Sequence, residues 1–218
     1  EQRTMGFHPV DLEHYARKEH FAQFQELKLT YSATVPIEVT KLREATKRLG
    51  AKAYPAQIWM LTTAANSIPE FRMSLDEEGR LGHWDSLTPL YTVFHPAKET
   101  FSGIWTEYDA EFGRFYQAYL RDTEQYNDGS FHPQGKIPAN LLNVSSIPWL
   151  DFTAFNLNLP STYLLPILTI GKYDERDGRT FMPLAVQVHH AVCDGYHLGR
   201  FVEQVRQLAA SADEWLIG

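Results

Sequence analysis

Residues 181–198 read Phe181-Met182-Pro183-Leu184-Ala185-Val186-Gln187-Val188-His189-His190-Ala191-Val192-Cys193-Asp194-Gly195-Tyr196-His197-Leu198. The first ten predict a strand. Side chains alternate between the faces of a sheet, so Met182, Leu184, Val186, Val188 and His190 fall on one apolar face, and Gln187 and His189 on the other. Burial disfavours a charged imidazole, so His190 is expected to stay neutral and able to take up a proton, as a general base must. The spacing alone leaves open that His190 is an ordinary core histidine, that Asp194 is no more than a helix cap, and that Gly195 only makes a turn. A metal site at His189, His190, Asp194 and His197 is disfavoured, since neighbouring strand residues point apart and zinc-type spacings are absent. Cys193 reads as a candidate nucleophile or, more simply, as small apolar filler.

Outward from this stretch, a terminal helix carries Leu198, Phe201, Val202, Val205 and Leu208. A helix is expected over Asp11–Lys28 with Asp11 as its cap, then a strand through Tyr31, Ala33, Val35, Ile37 and Val39. Thr40 reads as the cap of a short helix that stops at Gly50, and Pro55 suits the first turn of another running to about Asn66. Period-two patterning from Phe71 to Trp105 predicts several antiparallel strands. Helical spacing returns over Asp109–Tyr126, residues 127–138 form a loop, and strands follow at Leu141–Ile147 and Leu164–Tyr173, with a turn at Asp174–Arg179. Helices and strands interspersed in this way predict an α/β fold, a single domain over residues 1–218.

Of the 218 residues, 44% are hydrophobic and 22% charged, which excludes wholesale disorder and supplies a sizeable core. The formal charge of −7 argues against general nucleic-acid binding. A single cysteine gives no intrachain disulfide, and no apolar run approaches the roughly 18 residues needed to cross a bilayer. The opening residues, Glu1 to Gly6, carry no apolar leader core. A soluble, cytoplasmic protein that binds no membrane is expected.

Gln187 to His197 resembles the active-site signature of the trimeric, type A chloramphenicol acetyltransferase family. Other segments match in the same order: Arg17-Lys18-Glu19-His20-Phe21, Tyr54-Pro55, Glu70-Phe71-Arg72-Met73, Trp84-Asp85-Ser86, Tyr91-Thr92-Val93-Phe94-His95, Asn143-Val144-Ser145, Pro148-Trp149 and Gly171-Lys172-Tyr173. They span nearly the whole chain. The resemblance implies a two-layer sandwich, like that of CoA-dependent acyltransferases, with a mixed β-sheet and helices packed on one side. It also implies a homotrimer whose active sites lie between subunits.

By the same resemblance, His190 is the general base for the acceptor hydroxyl, Ser145 donates to the oxyanion, and Thr169 helps through a bound water. Arg17 and Asp194 form an ion pair that fixes the catalytic loop. Acetyl-CoA is implied as co-substrate near Lys52, Tyr54, Lys172 and Tyr173, with no permanently bound cofactor and no metal. The acceptor pocket would include Phe24, Thr92, Phe101, His132, Asn143, Phe155 and Leu157. The sequence departs from the family at Thr30, His132, Leu159-Pro160-Ser161 and Tyr196, which bears on acceptor affinity. The expected activity is O-acetylation of a primary hydroxyl of chloramphenicol, giving antibiotic resistance. The alternatives are another small alcohol as acceptor, or a non-catalytic ligand-sequestering protein on the same scaffold.

Overall fold

The computed structural model describes residues 6–217, so residues 1–5 of the opening segment read for a leader lie outside it. β1 (Phe7–Pro9) leads through tight turns to α1 (Lys18–Glu26) and β2 (Thr30–Glu38). The first helix is shorter than its spacing suggests. The Asp11 carboxylate accepts the Glu13 amide and meets the His14 ring, closing a turn, and helix begins only after Arg17. α2 (Thr40–Leu49) ends where Gly50 adopts a left-handed φ of 63°, as expected; Thr40 lies inside the helix, with Val39 at the cap position. α3 (Ala53–Asn66) is almost wholly buried and runs into a 3₁₀ turn, Pro69–Arg72.

β3 (Met73–Leu75), β4 (Leu81–Trp84), β5 (Thr88–His95) and β6 (Thr100–Trp105) follow, then α4 (Phe112–Gln125), β7 (Leu141–Ile147), β8 (Ile167–Gly171), β9 (Asp174–Arg176), β10 (Arg179–His189), α5 (Gly195–Ala210) and α6 (Ala212–Trp215). The main sheet runs in the order β2-β10-β8-β7-β5-β6, with β9 paired to β10; β7 lies parallel to both β5 and β8, and the remaining ladders of the sheet are antiparallel. β1, β4 and β3 form a separate small sheet that the period-two pattern did not distinguish. The result is the mixed α/β sandwich expected.

Alternation divides the main sheet into two unlike faces. Met182, Leu184, Val186, Val188, Leu168, Ile170, Leu142, Val144, Tyr91 and Ile104 pack with the helices in one core. The opposite face carries Thr34, Thr169 and Ser145 level with Ala185 across four strands, with Ser32 and Gln187 in the next row. The segment between β7 and β8 crosses that face. Ser32 Oγ donates to the Phe155 carbonyl, the Phe155 amide donates to Thr34 Oγ1, and the Leu157 amide donates to Gln187 Oε1. Among the described residues, no helix is long and apolar enough to cross a membrane.

Candidate active site

The parallel strands β5 and β7 pair from Thr88–Leu141 to Tyr91–Val144. Beyond that point β5 continues with β6 and β7 continues with β8, so the sheet divides at the carboxyl ends of its parallel strands, where α/β sheets commonly hold ligands. Thr92 Oγ1 accepts the Ser146 amide across the opening at 3.3 Å. The cleft within it is about 880 Å³ and reaches from Ala53, in the first turn of α3, to Phe155. Gly171 lets the chain after β7 return close above β8, since a β-carbon there would lie 2.7 Å from the Leu150 carbonyl.

Seven of the residues singled out above line this cleft: Ser145, Thr92, Phe101, Phe155, Tyr54, Lys172 and Tyr173. Burial pushes the Tyr54 and Tyr173 hydroxyls up, keeping them neutral. The other singled-out residues stand apart from the cleft wall. Thr169 is buried beside Ser145, the Asn143 amide group donates to Tyr163 Oη, and Leu157 is bound to Gln187. His132 packs over Gly103, and Lys52 is exposed one residue before α3. Other wall residues had not been singled out, Gln57, Phe94 and Trp149 among them. Gln57 donates to Tyr173 Oη, and Phe94 meets Trp149 edge-on at 4.9 Å. Phe94 and Trp149 sit inside matched segments of the sequence, but nothing in their spacing marks them as facing a ligand.

His190 is elsewhere. β10 ends at His189, so His190 opens the turn that follows the strand instead of lying within it. The deeply buried imidazole of the pair is that of His189, which is 1% exposed, whereas the His190 side chain retains 28% exposure. Alternation holds to the end of the strand: the His190 amide still donates in register to the Leu29 carbonyl, and its ring meets Tyr31, which stands opposite Val188. The His189 carbonyl then accepts from both Val192 and Cys193, turning the chain away and leaving His190 at the rim of the core. The His190 ring stacks on Phe24 at 4.0 Å between centroids and lies 5.2 Å from Tyr31.

Arg17 holds this turn. Its guanidinium donates to both Asp194 carboxylate oxygens, to the Ala191 carbonyl at 2.6 Å and to the His190 carbonyl at 3.1 Å. Burial pushes the Asp194 carboxyl up, but the Arg17 hydrogen bonds and charge, with the His197 and His190 rings, outweigh it and hold the group below its ordinary value. His190 Nδ1 is shut off from solvent, has no hydrogen-bond partner and lies 3.4 Å from Asp194 Oδ1. A proton on Nδ1 therefore faces a carboxylate, and the ring's remaining exposure belongs to its other edge.

Desolvation holds the His189 pKa below its ordinary 6.5, and His189 Nδ1 accepts the Ala191 amide. As pH falls below 6.5 the unfolded chain takes up this proton before the folded one, so stability declines. Urea unfolding is expected to show a lower midpoint at about pH 5.5 than at about pH 7.5, and His189→Gln is expected to shrink that difference.

One chain does not bring His190 to Ser145. Ser145 is level with Ala185 across β8, and His190 is five residues further along. Strand geometry gives roughly 17 Å along and roughly 10 Å across. A base and an oxyanion donor that serve one tetrahedral centre lie within about 8 Å of each other. The His190 ring, held between Phe24 and Tyr31, does not close the gap. No group of three His, Cys, Asp or Glu side chains suited to a metal ion occurs among the described residues.

The chloramphenicol acetyltransferase family model matches residues 5–206. The chain is 49% identical over 216 residues to a chloramphenicol acetyltransferase of Clostridium perfringens, covering 97% of this chain and 99% of that one. It is 43% identical to one of Staphylococcus aureus, covering 98% and 100%. Among solved structures, a chloramphenicol acetyltransferase superposes with a TM-score of 0.80 at 28% identity, over 94% of this chain and 99% of its own. The dihydrolipoamide acetyltransferase of Azotobacter vinelandii shares the fold, with a TM-score of 0.67 at 16% identity over 91% and 88%.

Proposed function

The chain belongs to the chloramphenicol acetyltransferase family and is an acyltransferase, and from that premise we propose that it transfers the acetyl group of acetyl-CoA to a primary hydroxyl of chloramphenicol. The observation that carries this reading is the cleft in the divided sheet. Its wall combines Ser145 with aromatic side chains that suit a nitrophenyl ring, and with Tyr54, Lys172 and Tyr173 at the α3 end for the coenzyme. Lys172 and Lys52 are exposed cations suited to the coenzyme's phosphates.

In this mechanism His190 accepts the hydroxyl proton at Nε2 while Nδ1–H faces Asp194. The hydroxyl oxygen attacks the thioester carbonyl carbon. Ser145 Oγ donates to the resulting oxyanion, with Thr169 assisting beside it through a bound water. The intermediate collapses to the ester and expels the CoA thiolate, which takes the proton back from His190. No acyl-enzyme forms. Because the two groups are far apart within one chain, His190 of one copy serves the cleft of a neighbour. The ring of three copies implied by the family closes that arrangement, with Phe24 beside the base and Phe101, Phe155, Leu157, Asn143 and His132 around the acceptor.

The test is thiol release from acetyl-CoA with and without chloramphenicol. Release that depends on chloramphenicol is expected, and a panel of other small alcohols is expected to react more slowly. Binding of chloramphenicol without release would leave a sequestering protein instead.

A further inference from the structure

His197 and Glu70 have no place in the cleft, yet both reach the turn that carries His190. His197 Nδ1 accepts the Asp194 amide at 2.9 Å. A neutral ring that accepts at Nδ1 carries its proton on Nε2, and that nitrogen lies 3.4 Å from Glu70 Oε1. The other Glu70 oxygen is buried without a partner, and the Glu70 carbonyl accepts from Cys193 Sγ at 3.5 Å. A carboxylate with one oxygen desolvated and unpaired is costly to hold, so the contact of its other oxygen has to account for its presence. Asp194, whose amide His197 receives, is also the residue that Arg17 grips and that lies 3.4 Å from His190 Nδ1.

We propose that Glu70 and His197 are positioning residues: Glu70 orients His197, which fixes the Asp194 backbone and so keeps the carboxylate and the His190 ring in register. The proposal rests on His190 being the base. Neither residue lines the cleft, so the effect falls on kcat and not on the KM of either substrate.

Two variants separate this from simple helix capping. Gln at the third helical position still accepts the cap residue's amide, so His197→Gln keeps the cap but cuts the link to Glu70. Glu70→Gln keeps the shape and removes the charge. Each is expected to lower kcat about 10-fold, with both KM values and the thermal midpoint unchanged, and the double variant is expected to be no slower than either single one. In the unaltered protein, imidazole ¹⁵N shifts are expected to show His197 protonated at Nε2. Wild-type kcat in His197→Gln, losses that multiply in the double variant, or a proton on Nδ1 would overturn the proposal. His190→Ala is assayed alongside. Near-normal activity in that variant removes the base assignment itself, an outcome separate from any result at Glu70.

Discussion

Two inactive variants of this chain are expected to regain activity when they assemble together. His190→Ala removes the proposed base and is expected to cost about 10²–10⁴-fold in kcat. Ser145→Ala removes the oxyanion donor and is expected to cost about 10²–10³-fold. If each site takes His190 from one copy and Ser145 from the next, co-expressed variants form some sites with both groups intact. With random mixing, each contributing copy is of the needed type half the time, so about a quarter of the sites are complete. Activity near a quarter of the unaltered level is therefore expected from a mixture of two preparations that are each almost inert. Separately purified homo-oligomers that do not exchange subunits supply the control. Failure of co-assembled variants to recover would place both groups in one chain's site and contradict the roughly 17 Å offset along β10.

The second large effect is expected at Arg17. Its side chain is 13% exposed and binds Asp194, which is 35% exposed, together with two backbone carbonyls of the turn that carries His190. Arg17→Leu strands the Asp194 charge and both carbonyls. A loss of about 2–3 kcal/mol is expected, below the cost for a fully buried pair because Asp194 keeps water on one side. Turnover is expected to fall as well, since the turn that orients His190 loosens. Asn ranks with Asp as a cap residue, so the double variant Arg17→Leu with Asp194→Asn keeps the helix start without an unpaired charge. It is expected to be more stable than Arg17→Leu alone, with activity still impaired. Thermal midpoints at one fixed protein concentration check this, because the proposed assembly would make them concentration-dependent. A double variant less stable than the single one would show that the carboxylate matters for something other than Arg17.

Much of the fold was legible because periodicity reports which face a side chain takes. The seventh strand runs Leu141–Ile147 as read, and Gly50 ends its helix where a left-handed residue is needed. Where an element stops is less legible. The last strand turns after His189, which leaves His190 part-exposed at the rim of its face while His189 is fully covered. The first helix yielded to an Asp11 turn whose hydrogen bonds compete with helix. The cleft could not be read from spacing because it comes from the parting of β5 and β7, a tertiary event that leaves no period. The resemblance supplied Ser145 and His190 but not the distance between them. Glu70 lay inside a matched segment, with nothing local to tie it to a ring 127 positions later.

The chain's one sulfhydryl lies in the same turn as His190, 1% exposed, and burial raises its pKa far above neutrality. In the proposed reaction, an enzyme that handles a thioester and releases a free thiol runs the risk of acylating its own cysteine or forming a mixed disulfide with its product. Both reactions need an accessible thiolate. Cys193 offers neither the charge nor the access, so the folded protein should be inert to alkylating reagents and to oxidised coenzyme, without any separate device to protect it.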